Sequence, residues 1–309
     1  MVDNFNFKGV IAAVVTPFGE DGAPDAQRYV EHCQWLLSEG CSALLAFGTT
    51  SEANSIGLDE RLGLLEELVD ADVDPALLMV GTGACSTADA IILTQHALDL
   101  DCGGVLMLPP FYYKNPSDEG LFRFFGDVIE GVGETRLKLY LYHIPQIAMV
   151  GFSVDLVARL VEAFPGVVVG LKDSSGDWQS MKRFLDADLP GFEFFPGSET
   201  YMLDAMRLGA AGCINANANL NCALQRQLFD NWQNVEAEEL QGEVSAFRKA
   251  MGAYPMIPSI KGIIAHYRDD PRWAYLRPPF IEMPADDVAA ALRLLRQQHD
   301  FKMTISIDV

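Results

Sequence analysis

The sequence predicts an α/β protein, a (β/α)8 TIM barrel followed by a C-terminal helical extension. Three observations carry this. Short apolar or β-branched runs recur at regular intervals, each followed by turn residues and a helix-period segment. The runs are apolar almost without interruption, as strands of a parallel sheet are when both faces are buried. The length of 309 residues suits one barrel of about 250 residues plus an appendage.

Taken in order, residues 9–17 (GVIAAVVTP) form the first strand, and an amphipathic helix over 25–38 follows, capped by Asp25. Residues 43–48 (ALLAFG) lead to a helix at 59–69, 77–83 (LLMVGTG) to one at 86–100, and 104–110 (GVLMLPP) to one at 118–130. Residues 137–145 (LKLYLYHIP) precede a helix at 153–164, and the sixth strand spans 167–173 (VVVGLKD). The seventh, 193–198 (EFFPGS), leads to a helix at 199–208; the eighth, 212–217 (GCINAN), is short and polar. A doubly wound sheet would want a Gly-rich phosphate turn after its first strand, which TPFGEDGAP does not supply. Beyond about residue 225 the strand signal stops. Segments 231–253 and 286–300 read as helices, 257–267 (IPSIKGIIAHY) as a buried one, and the tail FKMTISIDV as either a short strand or a frayed end. The expected division is 1–230, the barrel with its active site, and 231–309, a helical cap or oligomerisation layer.

Composition narrows the function. Half of the residues are hydrophobic, which excludes a disordered or fibrous chain. Lys and Arg number 22 against 43 Asp and Glu, a formal charge of −21. Such a surface repels nucleic acid and anionic membrane, and no basic run offsets it, so neither is expected as a partner. An anionic substrate then needs local donors. No apolar stretch reaches the ~20 residues of a membrane span. The start MVDNFNFKG has no apolar signal-peptide core, and the six cysteines (Cys33, Cys41, Cys85, Cys102, Cys213, Cys222) show no CxxC or zinc spacing. They read as small buried hydrophobes of a reducing compartment, and the protein as cytoplasmic.

In a barrel, chemistry sits at the C-terminal ends of the strands. Lys172, one of eight lysines, ends the sixth strand after an apolar run. Amines desolvated by apolar walls are partly uncharged and can attack a ketone, giving an imine that acts as an electron sink. The bland alternative is a lysine that snorkels out of a strand end. Tyr142 ends the fifth strand, beside the sixth, where a phenol can shuttle protons or simply pack. Residues 48–52 (GTTSE) follow the second strand and open a helix. Hydroxyls and free amides there can bind a small carboxylate, and ordinary capping explains the same residues. Phe111-Tyr112-Tyr113, after the fourth strand, is a lid, a subunit contact or rim packing. The five histidines have no metal-ligand spacing, and neither GxSxG nor a P-loop is present, so no metal site or organic cofactor is expected.

With GTTSE at 48–52, PPFYYKNPSDEGL at 109–121, LYHIP at 141–145, GLKDSSG at 170–176, PGSE at 196–199, GCINANAN at 212–219 and PMIPSIKG at 255–262, the chain resembles the dihydrodipicolinate synthase / N-acetylneuraminate lyase family of pyruvate-type class I aldolases. The resemblance implies Lys172 as the Schiff-base lysine and Tyr142 as the catalytic tyrosine. It implies Thr49 and Thr50 as ligands of the keto-acid carboxylate, with Thr49 also in the proton relay, and Ile214 as the aliphatic residue beside the keto acid. It further implies a second relay tyrosine reaching in from a neighbouring subunit of a homotetramer, a dimer of dimers. The FYY loop is one residue longer than the synthase pattern, so this is Tyr112 or Tyr113, with Tyr112 preferred. Three positions depart from the family. Ile147 stands where the synthase branch has an Arg that grips aspartate semialdehyde, His143 where Asn is usual, and Ser51 where Gly is usual. Glu199 matches the acidic position with which the lyase branch binds sugar hydroxyls. With Ser174, Asn215 and Asn217 it would form a polar pocket, although capping and loop hydrogen bonds explain the same four residues. The implied activity is a class I aldolase or lyase acting on pyruvate or a 2-keto-3-deoxy acid. Alternatives are dihydrodipicolinate synthase itself, a keto-deoxy sugar-acid dehydratase, or a non-catalytic pyruvate-binding scaffold.

Overall fold

Each of the eight runs supplies a strand in the computed structural model, which describes residues 7–187, 189–299, 301 and 303. They are β1 (Gly9–Ala13), β2 (Ala43–Ala46), β3 (Leu78–Gly81), β4 (Gly104–Met107), β5 (Leu139–His143), β6 (Val168–Asp173), β7 (Glu193–Pro196) and β8 (Gly212–Asn215). All are parallel, in the order β7-β6-β5-β4-β3-β2-β1-β8. The cylinder closes where the Ala211 amide, just before β8, donates to the Phe194 carbonyl of β7 at 3.0 Å. On the other edge of β8, where it pairs with β1, Gly212 is obligatory: its φ is +155°, and a Cβ would lie 2.0 Å from the Gly9 carbonyl oxygen.

Helices connect the strands: α1 (Ala26–Ser38), α2 (Leu58–Asp70), α3 (Thr87–Asp99), α4 (Asp118–Val132), the short α5 (Pro145–Ala148), α6 (Val154–Ala163), α7 (Trp178–Leu185), α8 (Met202–Arg207) and α9 (Ala218–Asn231). The side chains of Asp25, Ser86, Ser117, Ser153 and Asp177 accept from first-turn amides and fix where α1, α3, α4, α6 and α7 begin. Strand residues alternate between two apolar layers. Val10, Ala12, Leu44 and Val105 pack outward under the helices, while Ile11, Leu45, Met79, Leu106, Tyr140 and Ile214 fill the barrel. Burial on both sides is why the strands read as unbroken apolar runs.

Three further helices follow: α10 (Ala237–Met251), α11 (Met256–Tyr267) and α12 (Ala285–His299). They share a second core with the barrel mouth, in which Phe247, Ile260, Ile263, Trp273 and Leu295 pack with Val15, Ala216 and Leu220. Phe301 and Met303 join that core; the tail's residues 304–309, read above as strand or frayed, lie outside the described residues. No helix of the described residues is long and apolar enough to cross a membrane.

The structure revises several expectations. The helix expected over 231–253 begins only at Ala237, because Trp232–Glu236 form a turn after α9. The helices α7 and α9, after the sixth and eighth strands, are those for which the sequence reading gives no bounds. The first has only two turns. The second opens with Asn219 and Asn221, polar yet buried: Asn219 accepts from the Val15 amide and donates to the Ala13 carbonyl, so its polar face points inward. Five cysteines are buried as expected, but Cys85 is exposed.

Candidate active site

Parallel pairing of β5 with β6 sets Tyr142 directly beside Lys172, as register partners at the C-terminal end of the barrel. Each is 4% exposed, and the Lys172 Nζ lies 4.5 Å from the centroid of the Tyr142 ring. The Tyr142 hydroxyl is 3.4 Å from Thr49 Oγ1, on the loop after β2. An amine, a phenol and an alcohol therefore converge on one small cavity of about 260 Å3, which Thr50, Ser174 and Asn215 also line.

The GTTSE turn is built differently from the expected helix start. Only a three-residue 3-10 turn, Ala53–Ser55, follows it, and the amides of Ser51, Glu52 and Ala53 bond back to the carbonyls of Gly48 and Thr49. Those three amides are consumed, and Thr49 and Thr50 are the residues this turn offers to the cavity. Glu52 takes φ +57° and turns away, into a buried ion pair with Lys261 of α11 at 2.9 Å. Ser51 is likewise turned inward and donates to the Val14 carbonyl.

Strand alternation explains which neighbours stay out of the cavity. His143 and Asp173, register partners one residue beyond Tyr142 and Lys172, face the outer layer. His143 Nδ1 accepts from the Phe152 amide at 3.0 Å, and burial pushes this imidazole down to about 4, with Arg183 adding to the effect. It is a neutral packing residue. Asp173 is buried, accepts from the Ser175 amide at 2.7 Å, and is pushed up to about 6 by burial. Ser174 lines the cavity, held by its amide to the His143 carbonyl at 2.8 Å.

The expected polar pocket around Glu199 is corrected. Glu199 is wholly buried behind the wall, accepts from Asn217 Nδ2 at 2.7 Å and does not line the cavity. Asn217 is equally enclosed, and the Asn215 amide is engaged by Gln225 and the Ala218 amide. Glu199 and Asn217 form an internal brace at the start of α9, while Ser174 and Asn215 stay in the cavity lining. Ile214 is packed inside the barrel and does not face the cavity; its neighbour Asn215 does. Tyr112 and Tyr113 are 73% and 79% exposed on the loop after β4 and do not reach the cavity of their own chain. That loop is tied to α5 by Lys114 Nζ on the Ala148 carbonyl at 3.1 Å. Ile147, 61% exposed, sits at the rim.

Lining residues that sequence reasoning did not name include Thr200 and Tyr201 after β7 and, from distant elements, Arg248 of α10 and Met256 at the start of α11. Nothing in the local pattern of Arg248 or Met256 separates them from ordinary residues of amphipathic helices. Among the described residues no group of three or more His, Cys, Asp or Glu is placed to hold a metal ion.

Fold and site together define a barrel that encloses an amine and a phenol side by side at its strand ends. The family model for the dihydrodipicolinate synthetase family matches residues 6–298. A 4-hydroxy-tetrahydrodipicolinate synthase of Rhizobium meliloti is 32% identical over 258 residues, 82% of this chain and 86% of the relative. An uncharacterized DapA-like lyase of Chloroflexus aurantiacus is 32% identical over 285 residues, 92% of this chain and 94% of the relative. The crystal structure of dihydrodipicolinate synthase from Agrobacterium tumefaciens superposes with a TM-score of 0.87 at 31% identity, covering 95% of this chain and all of that one. The chain belongs to the dihydrodipicolinate synthetase family and is an enzyme of its aldolase and lyase class.

Proposed function

We propose that this enzyme is a Schiff-base-forming class I aldolase or lyase acting on pyruvate or a 2-keto-3-deoxy acid. One observation carries the reading: the Lys172 amine and the Tyr142 phenol are enclosed side by side at the barrel mouth, with Thr49 in reach of the phenol. Lys172 attacks the C2 carbonyl; Tyr142, relayed by Thr49, delivers the protons that turn the carbinolamine into an imine and water. Thr49 and Thr50 receive the keto acid's carboxylate. In cleavage, the C3–C4 electron pair flows into the protonated imine and leaves an enamine, while the C4 hydroxyl gives its proton to Tyr142. Protonation at C3 and hydrolysis then free pyruvate and Lys172; condensation is the reverse.

In this reading residues 1–230 carry the chemistry and 231–309 form a helical layer that completes the cavity wall. Tyr112 of a second copy joins the relay in a homotetramer, with Tyr113 beside it at the same contact. Their exposure in the single chain supports that role, since two adjacent tyrosines otherwise stand in solvent. The substrate is a small keto acid, the chemistry uses no metal or organic cofactor, and the enzyme is cytoplasmic.

Synthesis of 4-hydroxy-tetrahydrodipicolinate, the activity for which the Rhizobium relative is named, is a second reading. Ile147 weakens it, because an apolar side chain stands at the rim position where the synthase branch sets its arginine for aspartate semialdehyde. Borohydride reduction with pyruvate, followed by intact-mass and peptide analysis, tests the imine. A pyruvyl adduct on Lys172, absent in Lys172→Ala together with turnover, is expected. No adduct at any pyruvate concentration returns the chain to a binding scaffold.

A further inference from the structure

Among the described residues, the lining of the cavity at the barrel mouth holds two basic residues, Lys172 and Arg248, and no aspartate or glutamate. In a chain of net charge −21 this is a local reversal of sign, and it sits where substrate must bind. In the reading above, Lys172 forms the imine and Thr49 and Thr50 take the keto acid's own carboxylate. Arg248 remains unassigned. We propose that Arg248 binds a second carboxylate at the far end of the substrate, so that the enzyme cleaves or forms a dicarboxylic 2-keto-4-hydroxy acid. This rests on the imine reading and specifies its substrate class.

Arg248 is placed for such a role. It is half-buried on α10, flanked by the core residues Phe247 and Met251, which hold the helix against the barrel. Every other buried or half-buried arginine among the described residues has a hydrogen-bond partner: Arg28, Arg61, Arg226, Arg268 and Arg277 bond to carboxylates, a carbonyl or an imidazole. Among the described residues no such partner and no ion pair accompanies Arg248. The nearby carboxyl of Glu199 does not neutralise it. That group is sealed behind the wall against Asn217, and burial raises it above the usual carboxylate range while Arg248 pulls the other way. A guanidinium left free beside a substrate cavity offers a planar fork that a carboxylate fits with two bonds. The hydroxyls of Ser174 and Thr200, in the same lining, suit a substrate's C4 hydroxyl or the water around it.

The chemistry is unchanged by this assignment. The C3–C4 bond breaks into the Lys172 imine, the C4 hydroxyl proton leaves to Tyr142, and the departing aldehyde carries the second carboxylate. Arg248 orients the departing half and takes no part in proton transfer.

Two substrates of equal length test the proposal: 4-hydroxy-2-oxoglutarate, which ends in a carboxylate, and 4,5-dihydroxy-2-oxopentanoate, which ends in a neutral alcohol. Pyruvate release is measured for wild type, Arg248→Ala and Arg248→Lys, with borohydride trapping of pyruvate on each. Wild type is expected to favour the dicarboxylate by about 30-fold or more in kcat/KM. Arg248→Ala is expected to erase that preference through KM, leave the neutral substrate within about twofold, and still trap pyruvate on Lys172; Arg248→Lys keeps part of the preference. A wild type without the preference, or an equal loss on both substrates in Arg248→Ala, overturns the proposal. If Arg248→Ala does not fold, an undiminished preference in Arg248→Lys and its absence in wild type remain the overturning results for fork recognition and for charge recognition. Failure of wild type to trap pyruvate sinks the imine reading instead.

Discussion

Glu52 and Lys261 are 209 residues apart in sequence, yet their side chains meet at 2.9 Å with neither exposed to solvent. The Lys261 ammonium also donates to the Thr16 carbonyl at 2.9 Å and lies over the Phe18 ring, while Glu52 accepts from the Arg277 amide at 2.9 Å. The pair pins α11 to the turn that carries Thr49 and Thr50, and thereby fixes the floor of the site from outside the barrel. Burial pushes the Lys261 amine down to about 8 against the pull of Glu52, so the pair is held under a real desolvation cost.

Removing one partner strands the other. Lys261→Met is expected to lower unfolding free energy by about 3–5 kcal/mol, because a buried carboxylate loses its counter-ion. Adding Glu52→Gln to the same chain is expected to recover much of that loss. Urea denaturation of the single and double variants checks this; equal stability of the two would show that the pair is incidental. Pyruvate trapping should weaken in Lys261→Met, since the Thr49–Thr50 turn is no longer anchored.

Tyr142 tests the proton relay. Tyr142→Phe keeps the ring that packs beside Lys172 and removes only the hydroxyl that faces Thr49. Turnover should fall by about 10²–10⁴, the usual worth of a positioned general acid–base group. Imine formation should slow in stopped-flow measurements while the thermal midpoint stays close to wild type. A variant with undiminished kcat would remove the phenol from the mechanism.

The two exposed tyrosines separate cleanly by experiment. They stack edge to face at 5.2 Å, so a missing hydroxyl on either leaves the packing of the loop intact. Tyr112→Phe is expected to lower kcat by at least about tenfold and Tyr113→Phe by less than about twofold. Sedimentation of both variants should give the wild-type oligomer. The reverse order of effects would exchange their roles.

How much of this the chain disclosed depended on range. Lys172 and Tyr142 were readable because strand alternation and barrel topology are local rules: once both residues end neighbouring strands, their meeting follows. Glu199 was misplaced for a related reason. Its position just after β7 is right for a substrate ligand, but whether a loop carboxyl turns into the cavity or behind it depends on α9, whose Asn217 captures it. Arg248 and the Glu52–Lys261 pair were beyond reach altogether, since they arise from packing of α10 and α11 across more than two hundred intervening residues in the pair's case. The Asn-rich start of α9 carries no helix period because its polar groups satisfy the barrel's own backbone.

Asp173 supplies a prediction in which pH decides the sign. The residue is buried directly after Lys172 and only one of its carboxylate oxygens has a hydrogen-bond partner. Burial raises it from its usual value of 3.8 to about 6, more than the Ser175 amide lowers it. The folded state thus prefers the protonated acid. Its stabilising contribution is complete below pH 3.8, declines as pH rises through about 6, and is gone above that. The displacement corresponds to about 3 kcal/mol at most, taking about 1.4 kcal/mol per pH unit. Asp173→Asn retains the oxygen that accepts from Ser175 and never ionises. Relative to wild type, its unfolding free energy should therefore rise between pH 4 and 7 and level off beyond. Urea denaturation at pH 4.5 and 7.5 provides the comparison, and a difference between variant and wild type that does not grow with pH would mean that this carboxyl is charged at no cost in the fold.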